Sequence, residues 1–283
     1  MKELVPKKRF AGFSEPWERC KLSDVVNLFG GNTFSSQASV SCGARWLKIA
    51  NVGTGNLNWD DESFLPVSYL NDYSSYHLHV GDYVMALTRP ILNHELKIAK
   101  IDEDGILLNQ RVAKLIFNDD AKFGYYLLRK RSTVDKIANE LAGTDPPNLS
   151  ANTLNNIYVS IPNQEEQEKI GTFFKTLDSL ITLHRRKLNK LRDLKLAYLY
   201  EMFPQEGELY PKRRFAGFTD PWEQCKLNEL CDKFADGDWI ESKDQSDSGV
   251  RLVQTGNIGV TKYLDKPDNM KWVSKETFRR LHC

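Results

Sequence analysis

PKKRFAGFSEPWERCKL, from Pro6 to Leu22, returns as PKRRFAGFTDPWEQCKL from Pro211 to Leu227, with 13 of 17 positions identical and the four differences polar for polar. The likeness continues more weakly in the same order. RWLKIANVG from Arg45 to Gly53 lines up with RLVQTGNIG from Arg251 to Gly259, and Val67-Ser68 with Val273-Ser274. A spacing of about 205 residues is far too long for a solenoid, so each copy reads as a domain in its own right. The stretches after Val67-Ser68, among them LHVGDYVMALTRPI and ILLNQRVAKLIF, have no counterpart in the second copy. A half-built domain cannot bury a core, so the expectation is a truncated product or a longer natural protein.

Composition sets the outer bounds. The 283 residues leave room for one and a half to two domains. Hydrophobic residues at 41% and a mean hydropathy of −0.50 describe a globular chain and exclude wholesale disorder. No apolar run reaches the ~18–20 residues of a membrane helix, and MKELVPKKRF is not followed by an apolar targeting segment, so the expected location is the cytoplasm, with no membrane partner. Cys20, Cys42, Cys225, Cys231 and Cys283 form an odd set without a CxxC pair and read as reduced, mostly buried thiols, not as a metal site or a disulfide framework. With 39 basic and 38 acidic side chains, bulk charge neither indicates nor forbids a polyanionic partner.

Short apolar runs bounded by Gly, Asn or Asp predict strands at 45–51, 83–87, 105–108 and 111–117, with Asp102-Glu-Asp-Gly105 as a turn. Helical spacing over 123–142 ends at Gly143. Asn163 then opens a helix to about Met202, ~57 Å long at ~1.5 Å per residue. Ile170, Leu177, His184, Leu191 and Tyr198 fall on one heptad position of it, and Phe174, Ile181, Leu188, Lys195 and Met202 on the other. This is a coiled-coil seam with polar defects at His184 and Lys195. It needs a partner helix, the alternative being one member of a compact bundle. The fold class is therefore α+β, with three parts: 1–162 as the first domain, 163–203 as a spacer helix, and 204–283 as a linker and incomplete second domain.

A repeated globular domain, a long heptad helix introduced by IPNQEEQEKIGTFFKTLD, and a restart at PKRRFAGFTDPWE resemble the specificity subunit of type I restriction-modification systems over essentially the whole chain. The resemblance implies two target-recognition domains, each reading half of a bipartite duplex DNA sequence, held apart by antiparallel helices. Such a ruler is physically sensible, since half-sites one helical turn apart lie ~34 Å from each other. The resemblance further implies docking to modification (methyltransferase) subunits and a restriction (translocase and endonuclease) subunit. Those partners would use S-adenosylmethionine, ATP and Mg2+, and this chain would bind no cofactor. The departure is the absent remainder of the second domain and its helix, which leaves open an inactive polypeptide or one that dimerises through the seam.

Base edges are read by Arg on guanine and by Asn or Gln on adenine, while Lys, Arg, Ser and backbone amides hold phosphates. Thr88-Arg89 and Asn109-Gln110-Arg111 follow strands and resemble loops of the family's recognition domains. Lys48 and Asn51, with Gln254 and Asn257 at the matching places of the second copy, complete the DNA-binding candidates. All of them could equally be ordinary surface residues. The runs Arg129-Lys-Arg131 and Arg185-Arg-Lys187 suit phosphate contact, or are solvated faces.

A second class of function is a self-contained DNA-modifying enzyme. Asp145-Pro-Pro-Asn148 resembles an amino-methyltransferase motif with Asn in place of its aromatic residue, and Phe29-Gly-Gly31 lacks the spacing of a cofactor loop. Asp82 with Glu95 and Lys97 loosely mimics a nuclease site. The simpler readings are a proline-stiffened turn for the first and a strand entry with surface charges for the second. No catalytic residue is assigned, and a third reading, a purely protein-binding coiled-coil adaptor, predicts no preference for duplex DNA.

Overall fold

The computed structural model describes residues 6–143, 145–232 and 240–280. The chain divides into two compact units, residues up to 192 and residues from 193 on.

In the first unit, Tyr83-Val-Met-Ala86 decides the layering. Strands alternate their side chains between two faces, and here both faces are apolar. Tyr83 and Met85 belong to one core, Val84 and Ala86 to another. The strands are β1 (Glu18–Lys21), β2 (Val26–Gly30), β3 (Ala44–Leu47), β4 (Phe64–Leu65), β5 (His77–Leu78), β6 (Tyr83–Ala86), β7 (Ile91–Leu92), β8 (Glu95–Leu96), β9 (Ile98–Lys100), β10 (Ile106–Leu108), β11 (Val112–Phe117) and β12 (Tyr158–Ile161). One antiparallel sheet runs β2-β11-β6-β9, and a second, mixed sheet runs β4-β3-β10-β5 with β3 and β10 parallel.

The helices are α1 (Tyr69–Asp72), α2 (Ala121–Arg129), α3 (Arg131–Glu140), α4 (Ala151–Asn156) and α5 (Gln164–Glu201). The first core joins the antiparallel sheet to α2, α3 and α4 through Met85, Leu115, Phe123, Leu128 and Val134. The second fills the space between the sheets with Leu47, Val84, Ile106, Leu108 and Val112. Leu107, pointing the other way from β10, joins Phe34, Trp46 and Leu65 in a third. The result is α+β, as expected.

The repeated motif has a structural task. β1 pairs antiparallel with β12, from Glu18 opposite Ile161 to Lys21 opposite Tyr158, which lays the motif along the start of α5. The Arg9 guanidinium grips the fully buried Glu166 carboxylate with two bonds of 2.8 and 2.7 Å. Phe10 meets Phe173 edge-on at 5.7 Å, and the Lys169 ammonium lies 4.6 Å from the Phe13 ring. Further along, Gly171 lets α2 approach, because a Cβ there would fall 2.5 Å from Asp120 Oδ1 and 2.7 Å from Phe123 N. The Tyr126 hydroxyl donates to Asp178 at 2.8 Å; burial, then that carboxylate, holds the phenol above its ordinary range.

Four details differ from the sequence reading. The strand read over 45–51 stops at Leu47, and 49–51 form a 3-10 turn. The helix read over 123–142 breaks at Lys130, whose backbone is extended (ψ 128°). At ~100° per residue an unbroken helix would set Leu128 and Val134 about 120° apart, whereas the break lets both reach the same core, at 0 and 1% exposure. The thiols are not mostly buried: Cys20 is half-buried, Cys42, Cys225 and Cys231 are exposed, and Cys283 lies outside the described residues. Ile170 packs on the domain core and Phe174 stacks against Tyr126 at 5.2 Å, so the upper end of the seam is engaged by the domain itself.

The second unit holds a three-stranded sheet of β13 (Gln245–Ser246), β17 (Lys271–Val273) and β14 (Val250–Leu252), in that order, a β15 (Ile258–Gly259) and β16 (Lys262–Tyr263) hairpin, and α6 (Lys275–Arg280). Among the described residues no helix is long and apolar enough to cross a membrane.

Candidate nucleic-acid interface

Strand register gathers the sequence candidates at one edge of the first unit. β3 and β10 are parallel, Leu47 opposite Leu108, so Lys48 and Asn109 leave the sheet side by side, and Asn109 N bonds Leu47 O at 3.3 Å. Ala86 of β6 and Gly30 of β2 lie opposite Val112 and Ala113 at the start of β11, which brings the loops after β6 and β2 to the same edge. Leu87 N then bonds Arg111 O at 2.8 Å, and Gln110 N bonds Asn32 O at 2.7 Å. Gly31 makes this convergence possible, since a Cβ there would sit 2.0 Å from Asn109 O. That close approach is the use of Gly31, whereas a Cβ at Gly30 would meet nothing within 4 Å.

The loop backbones at this edge are unusual. Arg89 (φ 48°), Asn93 (φ 49°), His94 (φ 63°) and Arg111 (φ 64°) are four of the five non-glycine residues with positive φ among the described residues. Each costs on the order of 1 kcal/mol relative to an ordinary backbone, and such residues cluster where a surface is shaped for binding. Asn93 and His94 form the tip of the β7–β8 hairpin, which Pro90 O anchors through a 2.7 Å bond from Lys97 N. Arg89 and Arg111 are exposed, and among the described residues neither guanidinium has a hydrogen-bond or ion-pair partner. Several other arginines of the unit are internally engaged: Arg9 with Glu166, Arg45 with Glu62 and Glu103, Arg129 with the Tyr125 hydroxyl and Asp178, Arg131 with Asp135. The run 129–131 is thus largely tied down, whereas 185–187 stays exposed along α5.

The polar candidates divide into two groups. Gln110 is exposed and its Oε1 accepts from the Thr33 hydroxyl at 3.1 Å, leaving its amide hydrogens unengaged. Thr88 donates to Asn148 Oδ1 at 3.0 Å. Asn109 is half-buried, with its side-chain oxygen buried and lacking a partner. Lys48 is half-buried, bonds Ser63 Oγ at 2.8 Å and lies 4.3 Å from the Trp46 ring.

Asn51 and Asn257 are in a different position from the one expected of base readers. Asn51 is 2% exposed; its oxygen accepts from Lys48 N at 2.9 Å, and its amide donates to Asn58 O and Asp61 O at 3.0 and 3.1 Å. Asn257 repeats the arrangement, accepting from Gln254 N at 3.0 Å and donating to Leu264 O at 3.1 Å. Both amides hold the loop shut, while Gln254, like Lys48, precedes the turn. The sequence reading missed Asn93, His94 and Thr33. The Asn-His pair between two short apolar runs was the available signal for the hairpin tip.

The candidate enzyme groups do not assemble. Asp82 accepts from Lys114 Nζ at 2.7 Å and from His79 N at 2.9 Å. Lys97 is not the surface residue expected; its ammonium donates to Ile49 O at 2.7 Å, and burial lowers its pKa. Asn148 bridges to Thr88 in the interface loops, and Asp145-Pro146 is a cis peptide in the turn leading there.

On α5, Leu177, Ile181, Leu188 and Leu191 are exposed, as are Phe173, Leu180 and Leu194, so the apolar stripe is wider than the two heptad positions read from sequence. Within the second unit the Tyr198 ring lies 5.1 Å from the Arg213 guanidinium, and Met202 is half-buried.

An α+β globule with a row of shaped loops at its strand ends, borne on a long helix with an uncovered apolar stripe, defines the architectural class. The family model described as type I restriction modification DNA specificity domain matches residues 14–193, and the chain belongs to that family. It is 36% identical over 195 residues to the type I restriction enzyme MjaVIII specificity subunit of Methanocaldococcus jannaschii, covering 67% of this chain and 46% of that protein. The EcoAI specificity subunit of Escherichia coli is 40% identical over 102 residues, 35% of this chain and 17% of the relative. The crystal structure of a type I restriction-modification S subunit from M. genitalium superposes with a TM-score of 0.52 at 15% identity, over 95% of this chain and 66% of that one, which shows a shared fold. The chain thus spans less than half the length of the MjaVIII relative.

Proposed function

We propose that this chain is a non-catalytic DNA-reading scaffold of a type I restriction-modification complex. Its first unit reads one half of a bipartite duplex target, and α5 spaces that unit from a second reader. Adenine methylation and restriction are the work of modification and restriction subunits in the cytoplasm. Those partners use S-adenosylmethionine, ATP and Mg2+, and this chain binds no cofactor of its own. The supporting observation is the meeting of Lys48, Thr88, Arg89, Gln110 and Arg111 at one edge, two of them arginines on positive-φ loops whose guanidinium groups have no partner among the described residues. Exposed arginines on shaped loops suit guanine edges and phosphates. The uncovered stripe around Leu177, Ile181, Leu188 and Leu191 supports pairing of α5 with another long helix.

Exchanging residues 23–160 for those of a relative with a different target, followed by mapping of methylated adenines in cells carrying the complete system, tests the reading. One half of the modified motif is expected to change and the other to persist. An unchanged motif refutes it. The rival reading, a self-contained enzyme, predicts methyl transfer or cleavage by the purified chain that Asp145→Ala or Glu95→Ala abolishes.

A further inference from the structure

The second copy of the repeated motif keeps the build of the first but not its surroundings. Gly12 and Gly217 make the same turn at φ +95° and +92°. The capping bond from Lys21 N to Asp24 Oδ2, 2.9 Å, recurs from Lys226 N to Glu229 Oε2 at 3.0 Å. Leu22, however, is fully buried, whereas Leu227, Phe215 and Phe218 are 66, 71 and 65% exposed. Arg214, the counterpart of Arg9, donates to the backbone carbonyl of Asp220 in place of a carboxylate.

The Arg9–Phe13 part of the first copy receives a single helical face, while its Glu18–Lys21 part pairs with β12 and Leu22 enters the domain core. Glu166, Lys169 and Phe173 stand three and four residues apart, so they share one side of α5, and they meet Arg9, Phe13 and Phe10 in turn. The second copy offers the same arginine and the same two rings on a turn of the same shape. Two exposed phenylalanines beside a basic run form an apolar patch of the kind that marks a docking surface.

We propose that Pro211–Leu227 is a receptor for a partner helix carrying the face E-x-x-K-x-x-x-F. Arg214 takes the glutamate, Phe218 the lysine and Phe215 the aromatic ring. The template lies within this chain, so the proposal does not depend on the DNA-reading function.

The test is a fluorescein-labelled peptide of residues 162–183 titrated into the full chain and followed by anisotropy. Saturable one-to-one binding is expected, weakened at least tenfold by Arg214→Glu and separately by Phe215→Ala. Reversing the charge in the peptide with Glu166→Arg is expected to restore binding to the Arg214→Glu chain, which a merely unfolded variant cannot do. Absence of saturation, equal binding of a scrambled peptide, or binding that Arg214→Glu leaves unchanged would overturn the proposal. The last result would mean that the peptide exchanges with α5 at the first motif.

Discussion

Replacing Arg111 by glycine separates binding from stability in a way that an ordinary surface arginine would not allow. Arg111 holds φ at +64°. A non-glycine residue there costs about 1–2 kcal/mol, which glycine does not incur, while glycine loses up to ~1 kcal/mol more entropy on folding. The net is a fold as stable as the parent or up to ~2 kcal/mol more stable, measured by urea denaturation. The interface loses a guanidinium that has no partner among the described residues, so none of them is left unpaired. If Arg111 holds a phosphate, the slope of log affinity against log salt falls by about 1; if it reads a base, target affinity drops ~5- to 150-fold, from ~1–3 kcal/mol. Titrating target duplex into the complete assembly between about 50 and 200 mM salt distinguishes the two. Arg111→Ala keeps the strained backbone and should match the glycine variant in binding but not in stability. A glycine variant destabilised by more than ~1 kcal/mol, or one with unchanged affinity and salt slope, refutes the reasoning.

Asn51→Ala leaves Lys48 N, Asn58 O and Asp61 O without their partner and should lower stability by about 2–3 kcal/mol in urea, with the salt slope of DNA binding unaltered. Gly171→Ala gains about 1 kcal/mol of helix propensity but meets Asp120 and the Phe123 amide at 2.5 and 2.7 Å; overpacking of ~1–3 kcal/mol prevails, and a variant melting above the parent would contradict this. Burial first, then the neighbouring His79, holds the His77 imidazole below its ordinary value near 6.5. The unfolded chain therefore takes up the proton first, so this contribution is complete above about pH 6.5 and is lost as pH falls toward the folded pKa. His77→Gln should flatten that part of the stability curve, and a parallel curve would exclude His77 as its source.

The fold was legible where physical periodicity is strong. The apolar run from Tyr83 behind Gly81-Asp82 and the heptads from Ile170 to Met202 are strong local signals, and both the strand and the helix are present. The break at Lys130 was not legible, because Leu127, Val134, Ile137 and Leu141 fit one continuous helix, and the choice is made by the burial of Leu128 in a core assembled from distant strands. The site was half legible. Arg89 and Arg111 stand at strand ends, which sequence can place, and their positions follow from the β6–β11 register. Asn51 was misread because an amide that could pair with adenine is chemically the same amide that closes a loop, and only burial tells them apart. Burial likewise separates Lys97, drawn inward to Ile49 O, from a surface lysine.

On the proposed DNA-reading function, the paired loops at Lys48–Asn51 and Gln254–Asn257 let two readers differ while sharing a frame. In each, the asparagine fixes the turn through the backbone N–H of the variable residue, at 2.9 and 3.0 Å, so the turn does not depend on the side chain carried there. The loop can therefore hold lysine in one copy and glutamine in the other at little cost to its shape. Lysine offers a cation suited to a phosphate, glutamine a donor and acceptor suited to an adenine edge. At Arg111, β11 and the Gly31 approach set the backbone, and the side chain has no partner among the described residues. At Arg111 and Gln254 the residues that build the edge are thus different from the residue that faces outward, whereas Lys48 is also held by Ser63 and the Trp46 ring. A scaffold divided in this way can change its target by substitution at the outward positions while its core stays packed.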